Sequence, residues 1–187
     1  MRLRQTALMV AVGFSVPFAA CVGGETRDEA SEEASASVTA AQPDTTGPGM
    51  WSYLQAIDYQ SNWALWPDKG KLYKGQEPHG MLLTSYMNEA AMGALTGHAG
   101  SMPDGAIVVK ENYMPDSTLA AVTVMYKRSG YNDEHNDWFF AKYLPSGELD
   151  KAPNGMTLAG RVPGCQNCHG GVRANDYIFT ASLSEGG

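Results

Sequence analysis

The chain has 187 residues, a formal net charge of −7 at pH 7 and a sequence pI near 5.0. This length suits one domain, and the acidic balance argues against nucleic acid or an anionic membrane surface as the main partner, because both attract positive charge. Only three cysteines occur in the chain, and two of them lie close together near its end.

Residues 1–20 predict a signal peptide of the lipoprotein type. Arg2 and Arg4 precede an apolar run that ends in small residues before Cys21, and this run is too short for a comfortable membrane-spanning helix. The sequence "FAAC" resembles the bacterial lipoprotein box, with Phe18 where an aliphatic residue is usual. We therefore expect an extracytoplasmic, periplasmic protein that touches a membrane only through a lipid on Cys21; the alternative is an ordinary cleavage site with a free Cys21.

Residues 21–49 differ in composition from the rest of the chain. The stretch "VGGETRDEASEEASASVTAAQPDTTGPG" is rich in small and acidic residues and contains no aromatic residue. Such a segment cannot bury enough apolar surface to offset the entropy lost on ordering. It is predicted to be a disordered acidic tether that precedes a folded domain over residues 50–187.

Two helices are predicted in the folded domain. The segment 51–66, "WSYLQAIDYQSNWALW", has apolar residues at helical spacing before Pro67. The segment 88–100, "NEAAMGALTGHAG", is a second candidate, ended by Gly97 or Gly100.

Four short segments rich in β-branched and aromatic residues predict strands, because turn-forming residues separate them. They are residues 79–88, 105–113, 119–128 and 137–145. The predicted fold class is therefore α+β, with a mainly antiparallel sheet, flanking helices and the cysteine-rich segment after the last strand.

The segment "VPGCQNCHGG" places Cys165 and Cys168 three positions apart, with His169 directly after. On one helical turn both sulfurs can bond to the vinyl groups of one haem while the histidine binds the iron, and this spacing is the c-type haem attachment signature. Zinc would need more ligands, and a thioredoxin-like redox pair would be expected near a βαβ pattern. The motif predicts one covalently attached haem c; a local disulfide is the alternative.

Several blocks together resemble the cytochrome P-460 family, which includes haem–lysine cross-linked hydroxylamine oxidisers and the related cytochromes c′-beta. They are "PHG" at 78–80 with "YMN" at 86–88, "MPDGAIVVKENY" at 102–113, "VTVMYKRSGY" at 122–131, "DWFFAKYLPSG" at 137–147 and "GCQNCHGGVRANDYIFT" at 164–180. The resemblance implies an antiparallel β fold with flanking helices, one haem c with a proximal histidine, five-coordinate iron with an open distal side, and a homodimer.

By this resemblance Lys110 is the candidate for a covalent bond from its side-chain nitrogen to the porphyrin edge. Strand alternation places Lys110 on the same face as Val108 and Ala106, so that a core-facing strand would bury its ammonium. A solvent-facing strand lysine is the alternative, and some members of the family keep the fold without the cross-link.

Thr123 lies where hydroxylamine-oxidising members of the family carry a distal carboxylate. A threonine hydroxyl can donate and accept a hydrogen bond but cannot serve as a base near neutral pH. Glu111 is expected on the opposite face of the strand from Lys110 and cannot replace this acid.

Further residues could take part in a haem site. Arg161 and Arg173 flank the motif at distances suited to pairing with haem propionates, although either could be a surface charge. Met125 shares the Thr123 face and could be a sixth iron ligand, or pack in the core. His79, His98 and His135 could each bind a metal, but His79 is expected to serve a turn and the other two to lie in loops.

Three functions therefore remain open, and an enzyme is favoured. The first is a haem oxidoreductase acting on a small nitrogen compound such as hydroxylamine or nitric oxide, with a soluble redox partner such as another cytochrome c. The second is a protein that binds or senses a diatomic gas without turnover, which Thr123 favours. The third is a one-electron carrier, which a bonded Met125 would favour.

Overall fold

A computed structural model of the protein describes residues 42–184. The predicted signal peptide, Cys21 and residues 22–41 of the predicted tether lie outside the described residues. Residues 42–49, which the sequence assigns to the tether, belong to the folded domain. Helix α1 (Gly47–Ala56) starts among them, where the Thr46 hydroxyl accepts a hydrogen bond of 3.1 Å from the Gly49 amide. The Tyr143 hydroxyl donates to the Gly47 carbonyl oxygen at 2.7 Å, so this segment is tied to the sheet.

The first predicted helix is interrupted. Helix α1 ends at Ala56, and Asp58 adopts a left-handed backbone conformation with φ of 46°. A short helix α2 (Tyr59–Asn62) follows, and strand β1 (Ala64–Leu65) then replaces the last predicted turn of helix. The helical spacing of apolar residues thus continues past the point where the backbone turns away.

One antiparallel sheet of seven strands forms the centre of the described domain, which confirms the predicted fold class. The remaining strands are β2 (Tyr73–Lys74), β3 (Leu82–Met87), β4 (Ile107–Tyr113), β5 (Leu119–Lys127), β6 (Trp138–Tyr143) and β7 (Ala159–Gly160). Their order is β1-β3-β4-β5-β6-β7, with β2 also paired to β3. Each of the four predicted strand segments contains one of the longer strands.

Two further helices flank the sheet. Helix α3 (Glu89–Thr96) begins where the Asn88 side chain accepts a hydrogen bond of 3.1 Å from the Ala91 amide, and it ends at Gly97 as predicted. Helix α4 (Pro163–His169) carries the cysteine motif and continues into a 3-10 helix (Gly170–Asn175). Among the described residues, no helix is long and apolar enough to cross a membrane.

The sheet separates two hydrophobic cores because alternate residues of each strand point to opposite faces. Phe139 belongs to the core shared with α1 and α2, whereas its neighbours Trp138 and Phe140 belong to the core shared with α3, α4 and the C-terminal segment. We call the face that carries Trp138 and Phe140 the second face, and this face lies toward the cysteine motif.

On that second face, two neighbouring rows of cross-strand residues differ in chemistry. One row is apolar and runs through Met87, Val108, Met125 and Phe140. The next row is polar and consists of Ser85, Lys110, Thr123 and Lys142. A sheet face therefore presents two lysines and a threonine to the space beneath the cysteine helix.

Candidate functional site

A cavity of about 230 Å³ lies between the second face of the sheet and the C-terminal segment. The sheet contributes residues from both rows, including Lys110, Thr123 and Lys142, and the loop before β3 contributes His79. The C-terminal segment contributes Gly164, Cys165, Cys168, His169, Tyr177, Ile178, Phe179 and Thr180. All three residues of the cysteine motif therefore face one cavity.

Helix α4 presents both cysteines one turn apart. Pro163 occupies the first turn of the helix, where its fixed φ suits the helix and its missing N–H is not needed. Both thiols are free, so the alternative of a local disulfide is not what the structure contains. Burial raises the pKa of the Cys165 thiol, while Cys168 is exposed.

His169 has one ring nitrogen occupied and the other available. Its Nδ1 lies 2.8 Å from the backbone carbonyl oxygen of Tyr177, and because a carbonyl only accepts, Nδ1 must carry the proton. The lone pair is then on Nε2. Burial lowers the pKa of His169, which favours the neutral imidazole that binds metals.

The carbonyl that holds His169 is itself held in place. Asp176 and Tyr177 both have left-handed backbone conformations, with φ of 47° and 68°. The Asp176 carboxylate accepts hydrogen bonds of 2.7 Å from Lys127 Nζ and 2.8 Å from the Met102 amide. The turn that orients the imidazole is thus anchored to strand β5 by a buried carboxylate.

Lys110 lies on the cavity wall as strand alternation from Val108 predicts. Within residues 42–184 its ammonium makes no hydrogen bond or ion pair, and burial lowers its pKa. Glu111 faces the other side of the sheet, as predicted, where Tyr59 and Tyr113 donate hydrogen bonds of 3.0 Å and 2.6 Å to its carboxylate. A lowered pKa favours the neutral amine, which is the form of lysine that can act as a nucleophile.

Thr123 lies opposite Lys110 and contacts an imidazole. Its hydroxyl donates to the Lys110 carbonyl oxygen at 3.2 Å and accepts from Asn112 Nδ2 at 3.2 Å. The same oxygen lies 3.5 Å from Nδ1 of His79. Burial lowers the pKa of His79 to about 4, so this ring is neutral near pH 7.

Aromatic rings surround His169. The ring centroid of His79 lies 6.1 Å from that of His169, and those of Phe140 and Phe179 lie 5.6 Å and 5.4 Å away. Phe179 is 53% exposed, so it stands at the mouth of the cavity. The C-terminal segment 175–180 therefore returns to the site.

The structure places the remaining candidates in different surroundings. Arg161 is exposed, lies outside the cavity lining, and donates a hydrogen bond to the Tyr131 carbonyl oxygen. Arg173 donates to the Glu134 carbonyl oxygen at 2.8 Å. His135 contacts the Tyr177 hydroxyl at 3.1 Å, and His98 is exposed. Met125 lines the cavity.

Sequence reasoning missed one cavity residue, Lys142, and favoured a turn role for another, His79. Lys142 reads as a surface charge in a strand, but it lines the cavity and forms an ion pair of 2.9 Å with Asp150. His79 reads as a turn residue, yet its ring faces that of His169. The alternation of β6 after Phe140 could have identified Lys142, whereas no sequence signal places the His79 loop over the cavity.

The residues present fit a haem. Two free thiols lie one turn apart, the adjacent imidazole has Nε2 available, and the surrounding walls are largely apolar with two lysines. The two thiols suit thioether attachment, and the free Nε2 suits iron ligation. The apolar walls with two lysines suit burial of a macrocycle that has acidic substituents.

Comparison with known proteins agrees with this fit. The family model for cytochrome P460 matches residues 66–180, a range that contains the sheet from β2 onward and the cysteine motif. A search of curated proteins finds no match. The family match implies a haem cofactor.

Proposed function

Because the chain belongs to the cytochrome P460 family, we propose that it is an extracytoplasmic oxidoreductase that carries one covalently attached haem c and acts on a small nitrogen compound such as hydroxylamine or nitric oxide. The single observation that carries this proposal is the His169 imidazole, whose Nδ1 is bound to the Tyr177 carbonyl oxygen at 2.8 Å beside two free thiols. The bound haem supplies an iron that can bind a small ligand and exchange electrons.

Cys165 and Cys168 would hold the cofactor through thioether bonds, and His169 Nε2 would bind the iron. The one-turn spacing of the thiols and the proton on Nδ1 both support these roles. The iron would be five-coordinate and so keep one position open for a small ligand. Phe140 and Phe179 line the same cavity beside the His169 ring and would limit the space left around the cofactor.

Lys110 is the residue positioned to bond covalently to the porphyrin edge. An Nζ–carbon bond replaces one N–H and one C–H, so two protons and two electrons leave and a two-electron oxidant such as a peroxide must accept the electrons. The lowered pKa of Lys110 and its lack of an ionic partner within the described residues support a nucleophilic amine at this position.

Lys142 is the better placed of the cations for a haem propionate, because it lines the cavity and Arg161 does not. The ammonium already binds the Asp150 carboxylate at 2.9 Å, which shows that it can pair with a carboxylate while remaining in the wall. Arg161 could approach a propionate only by leaving the Tyr131 carbonyl.

Binding of nitric oxide without turnover is the second candidate function. The observation that favours it is Thr123, which provides a hydroxyl where hydroxylamine oxidation benefits from an acid or base. Its hydroxyl is already engaged with the Lys110 carbonyl oxygen and with Asn112, so it does not move protons to and from solvent.

The proposed location rests on the predicted signal peptide, and the proposed homodimer rests on the family resemblance. We propose export by the signal peptide, lipid attachment at Cys21, a homodimeric assembly, and electron transfer to a soluble partner such as another cytochrome c. The exposed edge of the cavity at Phe179 is the natural point for electron transfer, since the haem would approach solvent there.

The test is hydroxylamine oxidation by the purified haem-loaded protein with a soluble electron acceptor, together with titration by nitric oxide. Turnover that depends on hydroxylamine concentration would support the enzyme. Nitric oxide binding without hydroxylamine turnover would assign the protein to the gas binders, and failure of both would leave electron transfer.

A further inference from the structure

We propose that His79 binds the haem iron on the side opposite His169 in the resting protein, so that a small ligand must displace it. The inference concerns regulation of the same site and rests on the proposed function for the identity of that ligand. The ligation itself requires only that haem occupies the cavity. The sequence leaves metal binding by His79 open but favours a role in a turn, and the proposal departs from that expectation.

The separation of the two imidazoles favours ligation over a more distant role. The ring centroids of His79 and His169 lie 6.1 Å apart, with an angle of 79° between the ring planes. A metal ion bound at about 2 Å from one nitrogen of each ring holds the centroids roughly 6 Å apart. A histidine that instead donated a hydrogen bond to an iron-bound ligand would stand further away, because that hydrogen bond adds about 3 Å.

The contacts of His79 leave its Nε2 free for the metal. Nδ1 lies 3.5 Å from the Thr123 hydroxyl oxygen. That hydroxyl donates its own proton to the Lys110 carbonyl oxygen, so it offers lone pairs toward the imidazole. A histidine that binds a metal through one nitrogen commonly donates the other N–H to such an acceptor, which fixes the tautomer.

The side chain of Asn112 provides a second observation that favours a fixed position for the His79 ring. Its side chain is 4% exposed and its Nδ2 donates to the Lys110 and Ala121 carbonyl oxygens and to Thr123. Its Oδ1 is the one buried side-chain polar atom without a hydrogen-bond partner among the residues that the structure describes. A buried acceptor is costly when unsatisfied, and a small movement of the adjacent His79 ring would turn its single N–H, on Nδ1, from Thr123 toward this oxygen.

The loop that carries His79 is fixed against the sheet. The His79 amide donates to the Gln76 carbonyl oxygen at 3.1 Å, and Gly80 has a φ of 94°. A side chain at Gly80 would bring its Cβ within 3.1 Å of the Tyr113 carbonyl oxygen. The close approach of loop and strand holds position 79 over the cavity, and Gly80 is required for it.

Met125 is the competing sixth ligand, and the structure favours His79. Met125 lies in the apolar row with Val108 and Phe140, whereas His79 contacts the neighbouring polar row at Thr123. Methionine is also a common packing residue in an apolar row, because its thioether side chain is apolar and flexible. Histidine and methionine give different electron paramagnetic resonance and absorption spectra when they bind haem iron, so spectroscopy can distinguish the two ligands.

The test is electron paramagnetic resonance and absorption spectroscopy of the purified ferric haem-loaded protein at neutral pH. We expect a low-spin spectrum with two nitrogen axial ligands in the parent. His79→Ala should be high-spin, and added imidazole should restore the low-spin spectrum. Matched controls are His98→Asn, which removes an exposed histidine from a position with φ of 50° that asparagine tolerates, and Met125→Leu; both should keep the parent spectrum.

Either of two results would overturn the inference: a high-spin ferric parent, or a low-spin signal that survives His79→Ala and disappears in Met125→Leu. If His79→Ala does not hold haem, His79→Met should shift the low-spin signature to one nitrogen and one sulfur ligand. An unchanged signature in that variant would equally count against ligation.

Displacement is measured by mixing the ferric protein with cyanide. In the parent the observed rate should reach a plateau set by release of His79, whereas in His79→Ala it should rise linearly and exceed the parent rate by about tenfold or more. Equal rates would contradict displacement. Absence of hydroxylamine turnover in both proteins would instead contradict the proposed reaction, and it would not bear on ligation by His79.

Discussion

The Nδ1 atom of His169 lies 2.8 Å from the backbone carbonyl oxygen of Tyr177, and this single contact determines which ring nitrogen is available to a metal. The carbonyl is positioned by the residue before it, since the Asp176 carboxylate binds Lys127 and the Met102 amide. The orientation of the proposed iron ligand therefore depends on a carboxylate on the far side of the turn.

Replacing Asp176 should destabilise the protein and loosen this turn. Asp176 is 3% exposed and Lys127 14% exposed, so Asp176→Ala leaves a nearly buried ammonium without its partner. We expect a loss of about 3 kcal/mol in the free energy of unfolding, measured by urea denaturation of the haem-loaded protein. The control is Asp104→Ala, whose ion pair with Arg128 is exposed and should contribute about 1 kcal/mol or less. Equal losses in the two variants would contradict the anchoring role.

Much of this architecture could be predicted from local sequence patterns. Alternation of apolar residues identified β4 and placed Lys110 on the Val108 face, and the spacing of Cys165 and Cys168 identified the helix that carries them. These features depend on residues close in sequence, so the pattern carries the information.

The features that the sequence did not predict depend on contacts between residues far apart in the chain. The contact of His79 with Thr123 joins residues 44 positions apart, and the pairing of Lys127 with Asp176 joins residues 49 positions apart; no local pattern encodes either. The interruption of the first helix at Asp58 was also missed, because helical spacing of apolar residues persists through a backbone turn that only tertiary packing imposes.

The covalent role proposed for Lys110 predicts a change in proteolysis. Trypsin cleaves after a lysine with a free ammonium, so a cross-link should block cleavage at Lys110 and leave one haem joining that peptide to the peptide of the cysteine motif. Mass spectrometry of the digest tests this. Lys142 is the internal control, since it also lines the cavity and should be cleaved normally. Complete cleavage after Lys110 would exclude the bond.

A carboxylate in place of Thr123 should raise hydroxylamine turnover. Thr123→Glu places an acid beside His79 and Lys110, where it can accept and release protons during the reaction, and a positioned acid or base contributes about 10²-fold or more. The matched variant Thr123→Gln has nearly the same shape but cannot carry a proton, so it should remain at the parent rate. If both variants change the rate equally, the effect comes from shape and the proposed role of position 123 fails.

The ion pair between Lys142 and Asp150 should make stability depend on acid pH. The hydrogen bond from Lys142 holds the pKa of Asp150 below its ordinary value of 3.8. A lowered carboxylate pKa contributes stability that is fully present above pH 3.8 and is lost as the pH falls through the folded pKa.

Asp150→Asn should therefore cost about 0.5 kcal/mol in the free energy of unfolding at neutral pH, because both partners are partly exposed. The difference from the parent should vanish below the folded pKa. Urea denaturation of both proteins across the acid range measures it. A difference that stays constant with pH would mean that the ion pair does not contribute through the charge of Asp150.

The most direct test of the central claim is the mass of the tryptic peptide that contains Cys165, Cys168 and His169, from protein matured in an extracytoplasmic compartment and treated with a thiol-alkylating reagent. The account predicts that this peptide carries one haem, joined also to the Lys110 peptide where the cross-link has formed, with neither cysteine alkylated. A peptide with both cysteines alkylated and no haem would contradict it.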